Sequence, residues 1–126
     1  MTDHRFELDL PPRSELLGTA RSFAAAVARH YELGGETVED LKVAISEACV
    51  DALLVGERLR VHALEDGRGV SFSIELPRDD AGPTPEQALD ELGSPARFEL
   101  IRSLFPDATL ETETGRRRVR FTLATA

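Results

Sequence analysis

The sequence predicts an α/β (α+β) two-layer sandwich: a mainly antiparallel mixed sheet with helices on one face. Short segments around residues 5–10, 59–63, 70–76 and 119–123 alternate apolar and polar residues, the period of a half-buried strand. Two longer segments, about 14–31 and 37–55, repeat apolar residues at helical spacing. Most strands follow one another through tight turns, so hairpins and antiparallel pairing are the economical connection. One-faced strands and one-striped helices bury their apolar sides by packing as two layers. The 126 residues suit one domain with one core, spanning 1–126.

The elements follow in order. Phe6, Leu8 and Leu10 share a face of a first strand, which Pro11-Pro12 ends. Ser14 is placed to cap a helix to about Tyr31, with Leu16, Leu17, Ala20, Phe23, Ala24, Val27 and Ala28 as its stripe. Gly34-Gly35 stops that helix. Thr37 is the next N-cap candidate, Asp40 favours the helix start, and Gly56 ends the second helix after about Val55. Leu59, Val61 and Ala63 form a strand, Asp66-Gly67 offers a turn, and Val70, Phe72, Ile74 and Leu76 form the next strand. Pro77–Gly93 is polar and loop-like, with one short helix expected at Pro85–Leu92. Ser94-Pro95 opens a helix through about Phe105, proline supplying a fixed first dihedral. A strand at Thr109–Glu113, a turn at Gly115 and a strand with Val119, Phe121 and Leu123 complete the chain.

Composition excludes several classes. Lys and Arg number 15 against 23 Asp and Glu, a formal charge of −8. Nucleic-acid binding needs clustered cations to neutralise phosphates, and the run Arg116-Arg117-Arg118 with Arg120 is too small to supply them. No apolar stretch approaches the roughly 20 residues of a membrane span, and the first residues, MTDHRFELDLPPR, carry no apolar signal core. A cytoplasmic protein is expected. Cys49 is the single cysteine, so neither an internal disulfide nor a cysteine-based zinc site can form; on the core arc it reads as an inert buried thiol.

The second helix carries the chemical signal. Val38, Leu41, Ile45, Ala48, Cys49 and Ala52 share one arc, the core side, and Val43, Val50 and Leu54 lie nearly opposite. Asp40, Glu47 and Asp51 form a narrow acidic stripe between the two, while Glu39, Lys42 and Ser46 form a separate solvated arc. Carboxylates four apart repel, so Glu47 and Asp51 ask for a cation, a metal or a raised pKa. Such a pair can hold Mg²⁺ with phosphate oxygens, or one member can act as a general base. A partly exposed stripe compensated by a nearby arginine answers the same pattern, and on spacing alone it is the weightier reading.

The segment VEDLKVAISEACVDAL, residues 38–53, resembles the first motif of the anti-sigma-factor serine kinases, the RsbW-like branch of the Bergerat-fold (GHKL) ATPases. That motif runs approximately D-x-x-x-A-x-x-E-A-x-x-N-A and is matched here by Asp40, Ala44, Glu47, Ala48 and Ala52. The resemblance implies a Bergerat-type ATPase fold over nearly the whole chain, with Glu47 as the catalytic base that activates the attacking hydroxyl. Asp51 stands where the family has a Mg²⁺-binding asparagine. ELLGTARSFAAAVARHYEL is similar to the family's first helix, where Arg21 takes the place of an arginine used in partner contact. FSIELPRDDAGPTPE resembles the strand and loop of the D-x-G-x-G box, which assigns Asp80 to the adenine amino group, with Asp79 as a rival, and Gly82 to close backbone approach. Thr84 replaces the second glycine of that box.

The closing segment, ARFELIRSLFPDATLETETGRRRVRFTL, is similar to the family's final motif and hairpin. Aligned on Leu100-Ile101, its two glycines fall at Pro95 and Arg97. Those glycines let backbone N–H groups cradle phosphates at a helix start; Pro95 has no N–H to give, and Arg97 adds charge but fills space. Gly93 is the nearest glycine. Residues 75–91 add Glu75, Asp79, Asp80, Glu86, Asp90 and Glu91 against Arg78, an acidic neighbourhood for ATP.

The resulting expectation is an anti-sigma-factor-like regulator that works by protein–protein binding, with a degraded ATP site and no cofactor. Mg-ATP or ADP, with Asp51 on the metal, belongs to a competent pocket only. The implied partners are a sigma factor or an anti-anti-sigma (STAS-domain) protein, and a homodimer through the sheet fits the family. The alternatives are an active serine kinase acting on the STAS partner, and an auxiliary role such as dimerising with a typical family member.

Overall fold

The computed structural model describes residues 4–77, 94–113 and 116–125. Along the chain lie β1 (Arg5–Leu10), a 3-10 turn (Ser14–Leu16), α1 (Leu17–His30), α2 (Gly35–Val55), β2 (Leu59–Glu65), β3 (Gly69–Leu76), α3 (Ser94–Leu104), β4 (Thr109–Glu113) and β5 (Arg116–Ala124). The five strands form one sheet in the order β1-β2-β3-β5-β4, and every described pairing is antiparallel. The expected helix at Pro85–Leu92 and turn at Gly115 lie outside the described residues.

Two helix starts differ from expectation. At Ser14 the chain makes a 3-10 turn, Leu16 N–H bonding Arg13 C=O, and α1 proper begins only at Leu17. Gly34, not Thr37, is the N-cap of α2, with Val38 N–H donating to Gly34 C=O at 3.0 Å. A glycine cap loses only a few tenths of a kcal/mol to a Ser or Thr cap, and an earlier start adds backbone hydrogen bonds, so the helix extends through Thr37. Its other end is as the sequence indicates. Gly56 adopts φ 75°, and Gly56 and Glu57 N–H groups cover the carbonyls of Leu53 and Ala52.

Strand register decides what each face of the sheet offers. On the inner face, Leu8, Val61, Ile74, Val119 and Leu110 align across all five strands, and Ala63, Phe72 and Phe121 align beside them. All of these except the exposed Leu110 meet Ala20, Ala24, Val27 and Ala28 of α1 and Leu41, Ile45, Ala48 and Cys49 of α2 in one core. The outer face is a row of alternating charge. Asp9 pairs with Arg60, Arg60 with Glu75, and Arg118 opposite Glu75 pairs with Glu111. Such cross-strand pairs hold the outer face open to water without a second layer. The arginine run at the C-terminus is therefore largely matched: Arg118 binds Glu111 and Glu113, and Arg120 lies 3.7 Å from Glu111.

Cys49 is fully enclosed, and burial pushes its thiol up to about 12. A thiol is reactive as thiolate, so iodoacetamide at pH 8 should leave the native protein unlabelled and modify it only in denaturant. Rapid labelling of the folded protein would contradict this placement.

Candidate functional site

The site is built on the middle of α2, the first turn of α3 and the inner face of β3, β4 and β5. In α2 the apolar arc fixes the helix rotation against the sheet, and that rotation turns Glu47 and Asp51 toward α3. Helix α3 packs on α2. Its Ile101 and the following Phe105 are buried in the core, which leaves Arg97, one turn before Ile101, facing α2. Between these elements lies a pocket of about 270 Å³, lined among others by Glu47, Asp51, Arg97, Leu76, Phe98 and Leu110.

One interaction dominates its polar side. Arg97 Nη1 donates to Asp51 Oδ1 at 2.6 Å, and the side chains are only 14% and 10% exposed. A charge-assisted bond this short is among the stronger single contacts a protein makes. Glu47 is half-buried on the same wall and has no ion-pair or hydrogen-bond partner among the described residues. The like-charge pair in α2 is thus resolved on one side only: Asp51 has its cation, Glu47 faces the pocket. The wall opposite is apolar and suits an aliphatic or aromatic group; Glu47 is placed to accept a proton or bind a cation.

Of the residues singled out in the sequence, Glu47, Asp51 and Arg97 come together here. Asp80, Gly82 and Gly93 lie outside the described residues. Arg21 sits apart on α1, half-buried, and donates to Ser46 Oγ of α2 at 3.0 Å; Ser46 is accordingly not on a purely solvated arc. Asp40 lies near the start of α2, two turns from the pocket-lining residues. Arg117, like Phe98, Glu99 and Leu110, is a pocket residue that motif reading missed. It bonds Pro77 C=O at 3.1 Å and lines the pocket beside Val119. Parity along β5 gives it away: Arg117, Val119, Phe121 and Leu123 share the inner face, while Arg116, Arg118 and Arg120 point outward.

No described helix is long and apolar enough to cross a membrane. The model of the histidine kinase-like ATPase domain matches residues 10–123. The serine-protein kinase RsbW of Oceanobacillus iheyensis is 29% identical, over 86% of this chain and 80% of its own. RsbW of Bacillus cereus (strain AH820) is 30% identical over 88% and 79%, and RsbW of Bacillus subtilis 26% over 86% and 79%. A crystal structure of the RsbU and RsbW domains of a Mycobacterium tuberculosis protein superimposes with a TM-score of 0.70 at 16% identity, covering 97% of this chain and 32% of that one. That last likeness shows the fold, and there this chain spans about a third of the solved protein's length. The family match runs from the last residue of β1 to the penultimate residue of β5 and takes in every element of the pocket, so the chain belongs to the histidine kinase-like ATPase domain family.

Proposed function

We propose that this protein is a cytoplasmic regulator of the anti-sigma-factor type that acts by binding other proteins in a partner-switching circuit, with a nucleotide pocket that no longer takes Mg-ATP in the family's manner. The reading rests on family membership, on relatives that are RsbW serine-protein kinases, and on one observation within the pocket. Arg97, at a position where the resemblance has a glycine, reaches across to Asp51, at the position of the metal-binding asparagine, and ties it up at 2.6 Å. Pro95 in the first turn of α3 withholds a backbone N–H where phosphates need one. Partners of this class are a sigma factor or a STAS-domain anti-anti-sigma protein, with Arg21 on α1 as a contact candidate and a second copy of the chain as a further one.

A second reading is favoured by Glu47. It faces the pocket with no ion-pair or hydrogen-bond partner among the described residues, the state in which a base can take a proton from a serine hydroxyl. In that reading the protein is an active serine kinase, Asp51 holds Mg²⁺, and Asp80, Gly82, Gly93 and Arg97 line the nucleotide.

Calorimetric titration with ATP and ADP in Mg²⁺ separates the two. We expect no saturable heat at micromolar nucleotide, together with co-purification of a sigma factor or STAS protein. Submicromolar ATP binding, with phosphoryl transfer abolished by Glu47→Ala, would establish the kinase instead.

A further inference from the structure

We propose that the Arg97 guanidinium is a resident cation of this pocket, standing where a divalent metal would have to bind and so excluding it; the inference rests on the reading of a pocket that has lost Mg-ATP. Metals of this kind are held at about 2.0–2.1 Å by oxygen lone pairs. Asp51 Oδ1 accepts from Arg97 Nη1 at 2.6 Å, so the guanidinium occupies the space in front of that oxygen. A metal ion there would also lie in contact with a full positive charge. Both side chains are largely out of water, so the repulsion is poorly screened. Arginine keeps its charge at every working pH, so no change of pH opens the position as it would with lysine. The divalent ion that the fold family implies therefore does not fit these residues.

Arg97 also leaves a trace of what it replaced. Glu47 and Asp51 lie four apart on α2, about 5–6 Å between Cβ atoms, and both line the pocket. With the guanidinium gone, two carboxylates four apart share a partly dry wall, the arrangement that draws a divalent cation. Arg97 is thus the side chain that occupies the carboxylate oxygen a metal in this pocket would need.

The test is Mn²⁺ titration followed by electron paramagnetic resonance on the full chain, with folding checked by circular dichroism. The wild type should leave the free Mn²⁺ signal unchanged up to millimolar ion. Arg97→Gln should bind Mn²⁺ at least roughly a hundredfold more tightly, the effect of removing a charge ~4 Å from a divalent ion. Arg97→Lys should gain much less, and the Arg97→Gln/Asp51→Asn double variant should lose the gain. A folded Arg97→Gln that gains nothing overturns the proposal. Mn²⁺ binding by the wild type that disappears in Asp51→Asn overturns it too, and that comparison stands even where Arg97→Gln does not fold. ATP titrated alongside separates the two ideas. Tight ATP binding that persists in EDTA defeats the degraded-pocket reading and leaves the resident cation intact; ATP binding that requires Mg²⁺ defeats both.

Discussion

Replacing Asp51 by alanine should lower the unfolding free energy by about 3 kcal/mol, the lower end for breaking a buried ion pair. The loss comes less from the missing attraction than from what remains. Arg97 is held by α3 at 14% exposure, so without Asp51 its charge stays largely desolvated and loses its 2.6 Å counter-charge. A surface pair of the same composition contributes at most about 1 kcal/mol, and the difference is measurable as a shift of about 1–2 M in the urea midpoint. Exchanging both partners, Asp51→Leu with Arg97→Met, should recover most of the loss, because two apolar groups of similar reach have no charge to strand. A small loss in Asp51→Ala would place the pair in water and remove the basis for treating it as a fixed part of the pocket. Full recovery in the double variant would indicate that the pair persists for the pocket's chemistry rather than for stability.

The core and the pocket were legible in the sequence to different depths. The buried arc of α2 could be read residue by residue because 21 helical residues repeat the 3.6 period several times. The inner faces of β2, β3 and β5 followed from alternation in the same way. Glu47 and Asp51 were visible as a pair that asks for a cation. What the sequence could not supply was the donor, because Arg97 is 46 positions away and meets Asp51 only once α3 has docked on α2. The motif comparison placed Arg97 near a nucleotide's phosphates, and the fold places it against the carboxylate. Thr37 illustrates the opposite limit. Cap preference is worth a few tenths of a kcal/mol against glycine, too little to stop a helix that can start a turn earlier. The arginine run shows a third limit. Read as a block it is a basic patch, but a strand deals alternate residues to opposite faces, so Arg117 goes to the pocket while Arg118 and Arg120 go to Glu111 on the outer face.

Phe121→Ala should be the most damaging single substitution, costing about 3–5 kcal/mol. Phe121 is 1% exposed at the centre of the inner face. Its ring stacks on Phe105 at 4.5 Å between centroids and an interplanar angle of 7°, and on its register partner Phe72 at 6.0 Å and 20°. Truncation therefore removes a large apolar side chain and leaves both neighbouring rings facing a void that backbone pairing on either side prevents from collapsing. With native stabilities of about 5–15 kcal/mol, the variant is expected at the edge of folding at 37 °C. Leu110→Ala provides the control: Leu110 is on the same face of the sheet but 46% exposed on the edge strand, and its loss should stay near 0.5 kcal/mol. The two stacks also make the substitution informative about the site. Phe105 follows directly on the end of α3 and ties that helix to the sheet, and α3 brings Arg97 to Asp51. In whatever fraction of Phe121→Ala remains folded, amide exchange at residues 101–105 should therefore accelerate more than exchange in β1 and β2. Equal acceleration everywhere would show that α3 is anchored through α2 alone, and the aromatic stack would then be a core contact without consequence for the pocket.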